Sequence, residues 1–190
     1  WGVTLRGIAD NLIVDHPIDV MIVPTIGAMG DIETGIYPNS IAARIAQKIG
    51  GRSYLANFPH ILQTKKARLA IEHDASFQSV KNLWEKMNCA IISNSDLDHS
   101  CSLSQFGVFK TQDLTEIQEN GFVYTSNGLF FSGDGELIDS SFTERLIRME
   151  KSTIDNVEHV IQVVTGLEKV QSTRVSLQAG IGNILVTDTD

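Results

Sequence analysis

Apolar positions recur along this chain at two different spacings. Leu5, Ile8, Ala9 and Leu12 follow a period of three to four residues, so residues 3 to 13 read as an amphipathic helix. Asp19-Val20-Met21-Ile22-Val23-Pro24, apolar from Val20 to Val23 and closed by proline, reads as a buried strand. Asn39-Ser40 then opens a helix with Ile41, Ala42, Ile45 and Ala46 on one face, and Gly50-Gly51 stops it. Ser53 to Ala56 reads as a short strand, Thr64 to Ile71 and Ser76 to Met87 as helices, and Cys89-Ala90-Ile91-Ile92 as a buried strand.

The last thirty residues carry the clearest pattern. His159 to Val164 and Asn183 to Asp188 are apolar, β-branched runs of strand length, and the stretch between them is long enough for a crossover helix, which is the mark of a parallel βαβ unit. Helices alternating with strands make the fold class α/β. The character changes from Gly121 to about residue 150. Phe122-Val123-Tyr124, Leu129-Phe130-Phe131 and Glu136-Leu137-Ile138 read as antiparallel strands, with the hairpin turn at Ser132-Gly133-Asp134-Gly135. This stretch is expected to be a small lobe set into the α/β frame.

That pattern also places the candidate chemistry. Open α/β sheets bind ligands at the carboxyl ends of their strands. The loops there are Thr25 to Gly30 and Thr165 to Lys169, the latter bringing a lysine to a helix N-terminus, where free N–H groups and positive charge would meet an anion. A solvated Lys169 is the plain alternative. Thr4, just after Gly2 at the start of the first helix, either caps that helix with its hydroxyl or offers the hydroxyl and the first N–H groups to a phosphate.

Composition narrows the classes. The 190 residues are enough for one domain with its own core, expected to span 1–190 without a linker. A formal charge of -8 argues against unaided nucleic-acid binding, which needs clustered Lys and Arg. No apolar run reaches the roughly 20 residues needed to cross a bilayer, so no membrane partner is expected. Cys89 in a strand and Cys101 in a polar loop do not suggest a disulfide, and that usage fits a reducing cytoplasm. The five histidines show no metal-ligand spacing, and neither metal nor cofactor is expected. Asp96, Asp98 and His99 form a polar cluster that is most simply a solvated loop. The chain opens on Trp1 without methionine and enters its helical pattern at once, so an N-terminal part is expected to be missing.

Six short motifs, in order, then point to a family: Gly2-x-Thr4, Val23-Pro24-x-x-Gly27-x-x-Gly30, Asn39-x-Ile41-Ala42, Gly128-x-Phe130-Phe131-x-x-Asp134-Gly135, Gly166-x-x-Lys169 and Leu185-Val186-Thr187-Asp188. Together the chain resembles the sugar-binding effector domain of SorC-type bacterial transcription regulators. The resemblance implies a three-layer, doubly wound, mainly parallel sheet with a small antiparallel lobe, similar to glucosamine-phosphate deaminase and ribose-phosphate isomerase. It also implies a helix-turn-helix outside this chain, a sugar or sugar-phosphate effector, and assembly as a homodimer or homotetramer. Carried over residue by residue, Thr4 and Lys169 match positions that hold sugar or phosphate, and Asn39 begins the matching ligand-side helix.

The departures from the family pattern are equally specific. Ile26 and Ala28 stand in the loop where the glycolytic-gene regulator type carries an arginine, Tyr37 replaces a glutamine, Asn94-Ser95-Asp96 replaces Gly-Ile-Gly, and Thr125 replaces an acid. The expected ligand site is Gly2, Thr4, Thr25, Gly27 and Tyr37 with Asn39, Asp96, Thr125 and Lys169, and anion affinity is expected to be weaker than in that type. Two functions compete: a non-enzymatic sensor coupling ligand to DNA binding, and a sugar-phosphate isomerase or deaminase on the same fold, whose candidate groups are Asp96, His99 and Lys169. The sensor is the preferred reading, with no catalytic residue.

Overall fold

The computed structural model describes residues 1–29, 35–97, 109 and 111–189, the side chain of Thr111 excepted. In chain order the elements are α1 (Val3–Asn11), β1 (Met21–Ile22), α2 (Pro38–Ile49), β2 (Arg52–Ser53), α3 (Lys65–Glu72), α4 (Ala75–Trp84), β3 (Cys89–Ile92) and β4 (Asn94–Asp96). They continue with α5 (Thr111–Glu119), β5 (Tyr124–Ser126), β6 (Leu129–Phe131), α6 (Lys151–Ile154), β7 (His159–Val163), α7 (Val170–Gln178) and β8 (Ile184–Val186). Short 3-10 turns at Thr143–Arg145 and Leu167–Lys169 complete it.

Local sequence explains most boundaries. Helix α2 takes Pro38 in its first turn, where the missing N–H has no partner to lose, and ends at Gly50 with a left-handed φ of 73°. Thr64 and Asp74 cap α3 and α4, accepting from the N–H groups of Ala67 and Ser76 at 3.1 and 2.8 Å. The apolar stripes of the helices then face inward: Leu5 and Ala9 of α1 meet Ile41 of α2, while Phe77, Val80 and Trp84 of α4 join the main core.

The closing βαβ unit forms as expected. Strand β7 lies between β3 and β8, parallel to both, with Cys89 opposite His159, Ile92 opposite Gln162 and Val163 opposite Val186. Three strands differ from expectation. The runs 19–24 and 53–56 pair only as β1 with β2, parallel over two residues, because the carbonyl of Pro24 is taken by the indole N–H of Trp84 at 2.7 Å and Met21 is exposed. Strand β3 is not buried on both faces: Ala90 and Ile92 enter the core, whereas Cys89 and Ile91 point outward. Cys89 is a free thiol, with its pKa raised by burial; Cys101 lies outside the described residues.

The lobe holds an antiparallel sheet in the order β4-β5-β6. Its tight hairpin is not the Ser132 to Gly135 turn but Asn127-Gly128, both with positive φ, 52° and 73°, the conformation a type I′ turn needs. The Ser132 to Gly135 turn exists, closed by the Ser132 N–H on the Glu136 carbonyl at 2.9 Å, but carries one bridge, Phe131 with Leu137, rather than a strand pair. The third strand, β4, comes from residues 94–96, outside the span expected for the lobe.

Besides the small α1–α2 contact, two larger apolar clusters form among the described residues. One, with Phe77, Trp84, Ile92, Phe131, Ile147, Met149 and Val160, lies under the parallel sheet; the other, with Ile26, Met29, Tyr37, Phe109, Phe122, Phe130, Phe142 and Leu146, fills the lobe. Four phenylalanines of the second stack edge-on or tilted, Phe130 and Phe142 at 5.3 Å between ring centres. Arg145 clamps α5 to this core, pairing with Asp113 at 2.9 Å and Glu116 at 3.2 Å and lying over the Phe142 ring. No helix among the described residues is long and apolar enough to cross a membrane.

Gly128 is the most constrained point of the hairpin. A Cβ there would come within 3.0 Å of the His60 ring and 3.1 Å of Arg148 Cδ, on top of its left-handed backbone. Gly128→Ala is therefore expected to destabilise the fold by about 1–3 kcal/mol, read as a lower urea midpoint; an unchanged midpoint would refute the tight approach.

Candidate ligand-binding site

Strands β3 and β7 are parallel neighbours, so their carboxyl ends open together. Beyond Ile92 the chain passes through Ser93 into β4, and beyond Val163 through Gly166 into the 3-10 turn and α7. Helix α7 packs on β4 and β5, and the 3-10 turn on β4, so that Lys169 shares a cavity with Asn94 and Ser95. The N-terminus of α1 and the Asn127-Gly128 hairpin close the remaining sides. The resulting cavity is lined by Gly2, Val3 and Thr4, by Ser93, Asn94 and Ser95, by Thr125, Asn127 and Gly128, by His60 and Lys169, and by an apolar wall of Met29, Phe109 and Phe130 with Trp1. It encloses about 80 Å³, room for several waters at the ~10–15 Å³ that each requires.

Four expected residues meet in this lining: Gly2, Thr4, Thr125 and Lys169. Thr4 does not cap α1. It is the second helical residue, and the cap position belongs to Gly2, which has no side chain to offer. Thr125 donates its hydroxyl to the Leu129 carbonyl at 2.9 Å, so only oxygen lone pairs remain for a ligand. Lys169 is half-buried at the start of α7. The loop before it is tied down, with the Gly166 N–H donating to the Asp188 carboxylate at 2.9 Å.

The other five lie behind or beside the lining. Thr25 donates to Asn127 Oδ1 at 2.5 Å and so braces a lining residue. Gly27 runs against the backbone of Pro59 and His60, where a Cβ would meet His60 N at 2.6 Å. Asn39 spends both halves of its amide on Ala56, donating to its carbonyl at 3.1 Å and accepting from its N–H at 2.9 Å. Tyr37 is buried in the lobe core, and Asp96 sits on β4 away from the lining. Of the polar cluster considered above, Asp98 and His99 lie outside the described residues.

The residues that sequence reasoning passed over are His60, Asn94 and Asn127. Asn-Gly between two apolar runs is the standard signal of a two-residue hairpin and would have marked Asn127. His60 has no local signal; contacts with residues far along the chain put it there. Its Nδ1 donates to the Ile147 carbonyl at 2.8 Å, which leaves Nε2 as an acceptor. Arg148, behind it, is buried and pairs with Glu150 at 3.1 Å.

Lys169 is the one formally charged side chain among the described lining residues, in a chain of net charge -8. The rest is neutral polar and aromatic. Asn94 Oδ1 and Asn127 Nδ2 are buried with no hydrogen-bond partner among the described residues, a costly state unless a guest group or water completes them. The site suits a small hydroxyl-bearing ligand carrying at most one anionic group. Among the described residues no group of His, Cys, Asp or Glu could hold a metal ion.

A family described as "Putative sugar-binding domain" matches residues 1–190. The sorbitol operon regulator of Klebsiella pneumoniae is 24% identical over 195 residues, covering 100% of this chain and 61% of that protein. The central glycolytic genes regulator of Bacillus subtilis is 24% identical over 188 residues, covering 98% of this chain and 53% of that protein. The chain thus spans little more than half the length of these curated relatives, both of which are regulators. The crystal structure of the full-length Klebsiella pneumoniae regulator has the same fold, with a TM-score of 0.87 at 22% identity over 100% of this chain and 62% of that one.

The buried imidazole gives a test of this geometry. Burial disfavours the charged ring and holds the His60 pKa down to about 4 from 6.5, with the Ile147 carbonyl opposing and the Arg148 charge adding to the shift. The unfolded chain takes up this proton below pH 6.5 while the folded one does not, so stability is full above that pH and falls as pH drops to about 4, by about 3 kcal/mol. The His60 imidazole resonance should titrate near pH 4, and His60→Gln should flatten this part of the pH–stability profile. A midpoint near 6.5 would place His60 in solvent instead.

Proposed function

The chain belongs to the family of sugar-binding domains of SorC-type transcription regulators, and we propose that it is the effector domain of such a regulator, holding a sugar or sugar phosphate in the cavity at the β3 and β7 ends. The observation that carries this reading is the convergence of Gly2 and Thr4, Thr125 and Lys169 on one cavity from three separate parts of the chain. A phosphate would lie between the first turn of α1, with its free N–H groups, and the Lys169 ammonium. The hydroxyl-bearing part would lie against the Asn94, Thr125 and Asn127 side.

In this proposal the whole of 1–190 acts as one effector unit of a cytoplasmic homodimer or homotetramer. DNA is read by a helix-turn-helix elsewhere in the parent regulator, in keeping with the charge of -8 on this domain. The ligand acts by binding one assembly state better than another, since only differential affinity shifts such an equilibrium. The isomerase or deaminase alternative has no support among the relatives.

Thermal unfolding against D-ribose 5-phosphate, D-fructose 6-phosphate, D-glucitol 6-phosphate and D-glucitol tests the proposal. At least one should raise the melting temperature, by up to about 2.7 kcal/mol of stabilisation at a hundredfold excess over its Kd. Lys169→Ala should weaken the phosphorylated compounds tenfold or more, as expected for a lost hydrogen bond to a charged group. If none of the four stabilises the protein and Lys169→Ala changes nothing, the reading fails.

A further inference from the structure

Gln162 is a polar side chain in the central strand of a parallel sheet, with no exposed surface at all. Such positions are normally apolar, and a buried amide is tolerated only when its hydrogen bonds are made. Those of Gln162 are made on three sides. Its Nε2 donates to the Ile181 carbonyl and to Ser176 Oγ, and its Oε1 accepts from Asn94 Nδ2 at 3.4 Å. Gly182, at φ 103°, lies so close over it that a Cβ would come within 2.8 Å of Gln162 Cγ.

These bonds dictate the direction of the whole chain. A carbonyl can only accept, so Ile181 forces the Gln162 amide to turn its NH₂ that way and its oxygen towards Asn94. That oxygen forces Asn94 to turn its own NH₂ inward. Asn94 Oδ1 is then left buried, in a residue that lines the cavity, without a partner among the described residues. Asn94 is paired in register with Ser126, the residue before Asn127, and both asparagines line the cavity. Asn127 presents the opposite polarity: Thr25 occupies its Oδ1, and its Nδ2 is the buried atom without a partner among the described residues.

We infer that Gln162 is a positioning residue for ligand recognition, holding Asn94 so that its Oδ1 and Asn127 Nδ2 together bracket one hydroxyl of a polyol or sugar. The inference rests on the effector reading above and deepens it. A hydroxyl both donates and accepts, and so completes both atoms. A phosphate or carboxylate oxygen only accepts and would leave Asn94 Oδ1 facing lone pairs. The neutral end of the cavity is thereby specific for an alcohol, while the anionic end at Lys169 and Thr4 is generic. Sites that hydrogen-bond a hydroxyl through buried groups discriminate more sharply than apolar ones, because the wrong ligand leaves those groups unpaired.

The test compares affinities in the whole chain for the tightest of the three sugar or polyol phosphates named above and for inorganic phosphate. Gln162→Met and Asn94→Leu should each weaken the sugar or polyol phosphate tenfold or more while changing the inorganic phosphate Kd by less than twofold; Lys169→Ala should weaken both. Side-chain amide protons of Asn94 should also be protected from exchange in the unliganded protein, a reading that survives if Gln162→Met fails to fold. Equal losses for both ligands, no loss in Asn94→Leu, or freely exchanging Asn94 amide protons would overturn the inference and leave the effector proposal standing. If none of the four compounds binds the unaltered protein, both fall together; if D-glucitol alone binds, the Gln162→Met and Asn94→Leu losses are read on it instead, and no loss overturns the inference.

Discussion

Strands β3 and β7 run in the same direction with Ile92 opposite Gln162, so both leave the sheet at one edge, and loops about seventy residues apart in sequence are forced to share it. A parallel pair cannot be closed by a tight turn, so each strand must be followed by a long excursion. After β3 that excursion enters the lobe sheet through Asn94. After β7 it passes through the 3-10 turn that ends on Lys169 and then into α7. The cavity lies where the two excursions meet, and it could not form if the pair were antiparallel or if either strand slipped by one residue, since a slip would turn Ile92 and Gln162 to the opposite face.

The lobe depends on this edge as much as the cavity does. Strand β4 continues almost directly from β3, with only Ser93 between, and templates the β5–β6 hairpin. The hairpin in turn needs Asn127 and Gly128 in left-handed backbone, held from below by His60 and Arg148. Behind it, Phe122, Phe130 and Phe142 supply the apolar anchor, so the polar atoms at the hairpin tip are set on a rigid aromatic base. Binding groups held this way need little reorganisation when a ligand arrives, which is what limits the entropic cost of association.

Much of the frame was legible beforehand. The helical periods of α1 and α2, the stop at Gly50 and the closing βαβ unit follow from spacing alone, because a one-faced apolar stripe or a β-branched run has few ways to be buried. The strand lengths near residues 19–24 and 53–56 were not, because Trp84, sixty residues from Pro24, decides where that strand's hydrogen bonding stops. The site was half legible. Gly2, Thr4, Thr125 and Lys169 sit in local contexts that suggest ligand chemistry, whereas Asn39 sits in the same kind of context yet is spent on bracing Ala56. Which polar group a neighbour has already consumed is invisible in a linear pattern.

The sequence by itself therefore determined the α/β class, the order of most elements and the placing of Lys169 at a helix start, since these depend on residues within a few positions of one another. Only the tertiary structure decided which loops face each other, that His60 is buried and neutral, and that Asn94 and Asn127 each keep one polar atom without a partner among the described residues. The physical reason is range. Propensity and periodicity act within a turn or a strand, but hydrogen-bond satisfaction is settled among groups as distant as Asn94 and Gln162, and a binding site is made of the few groups left over when that accounting is complete.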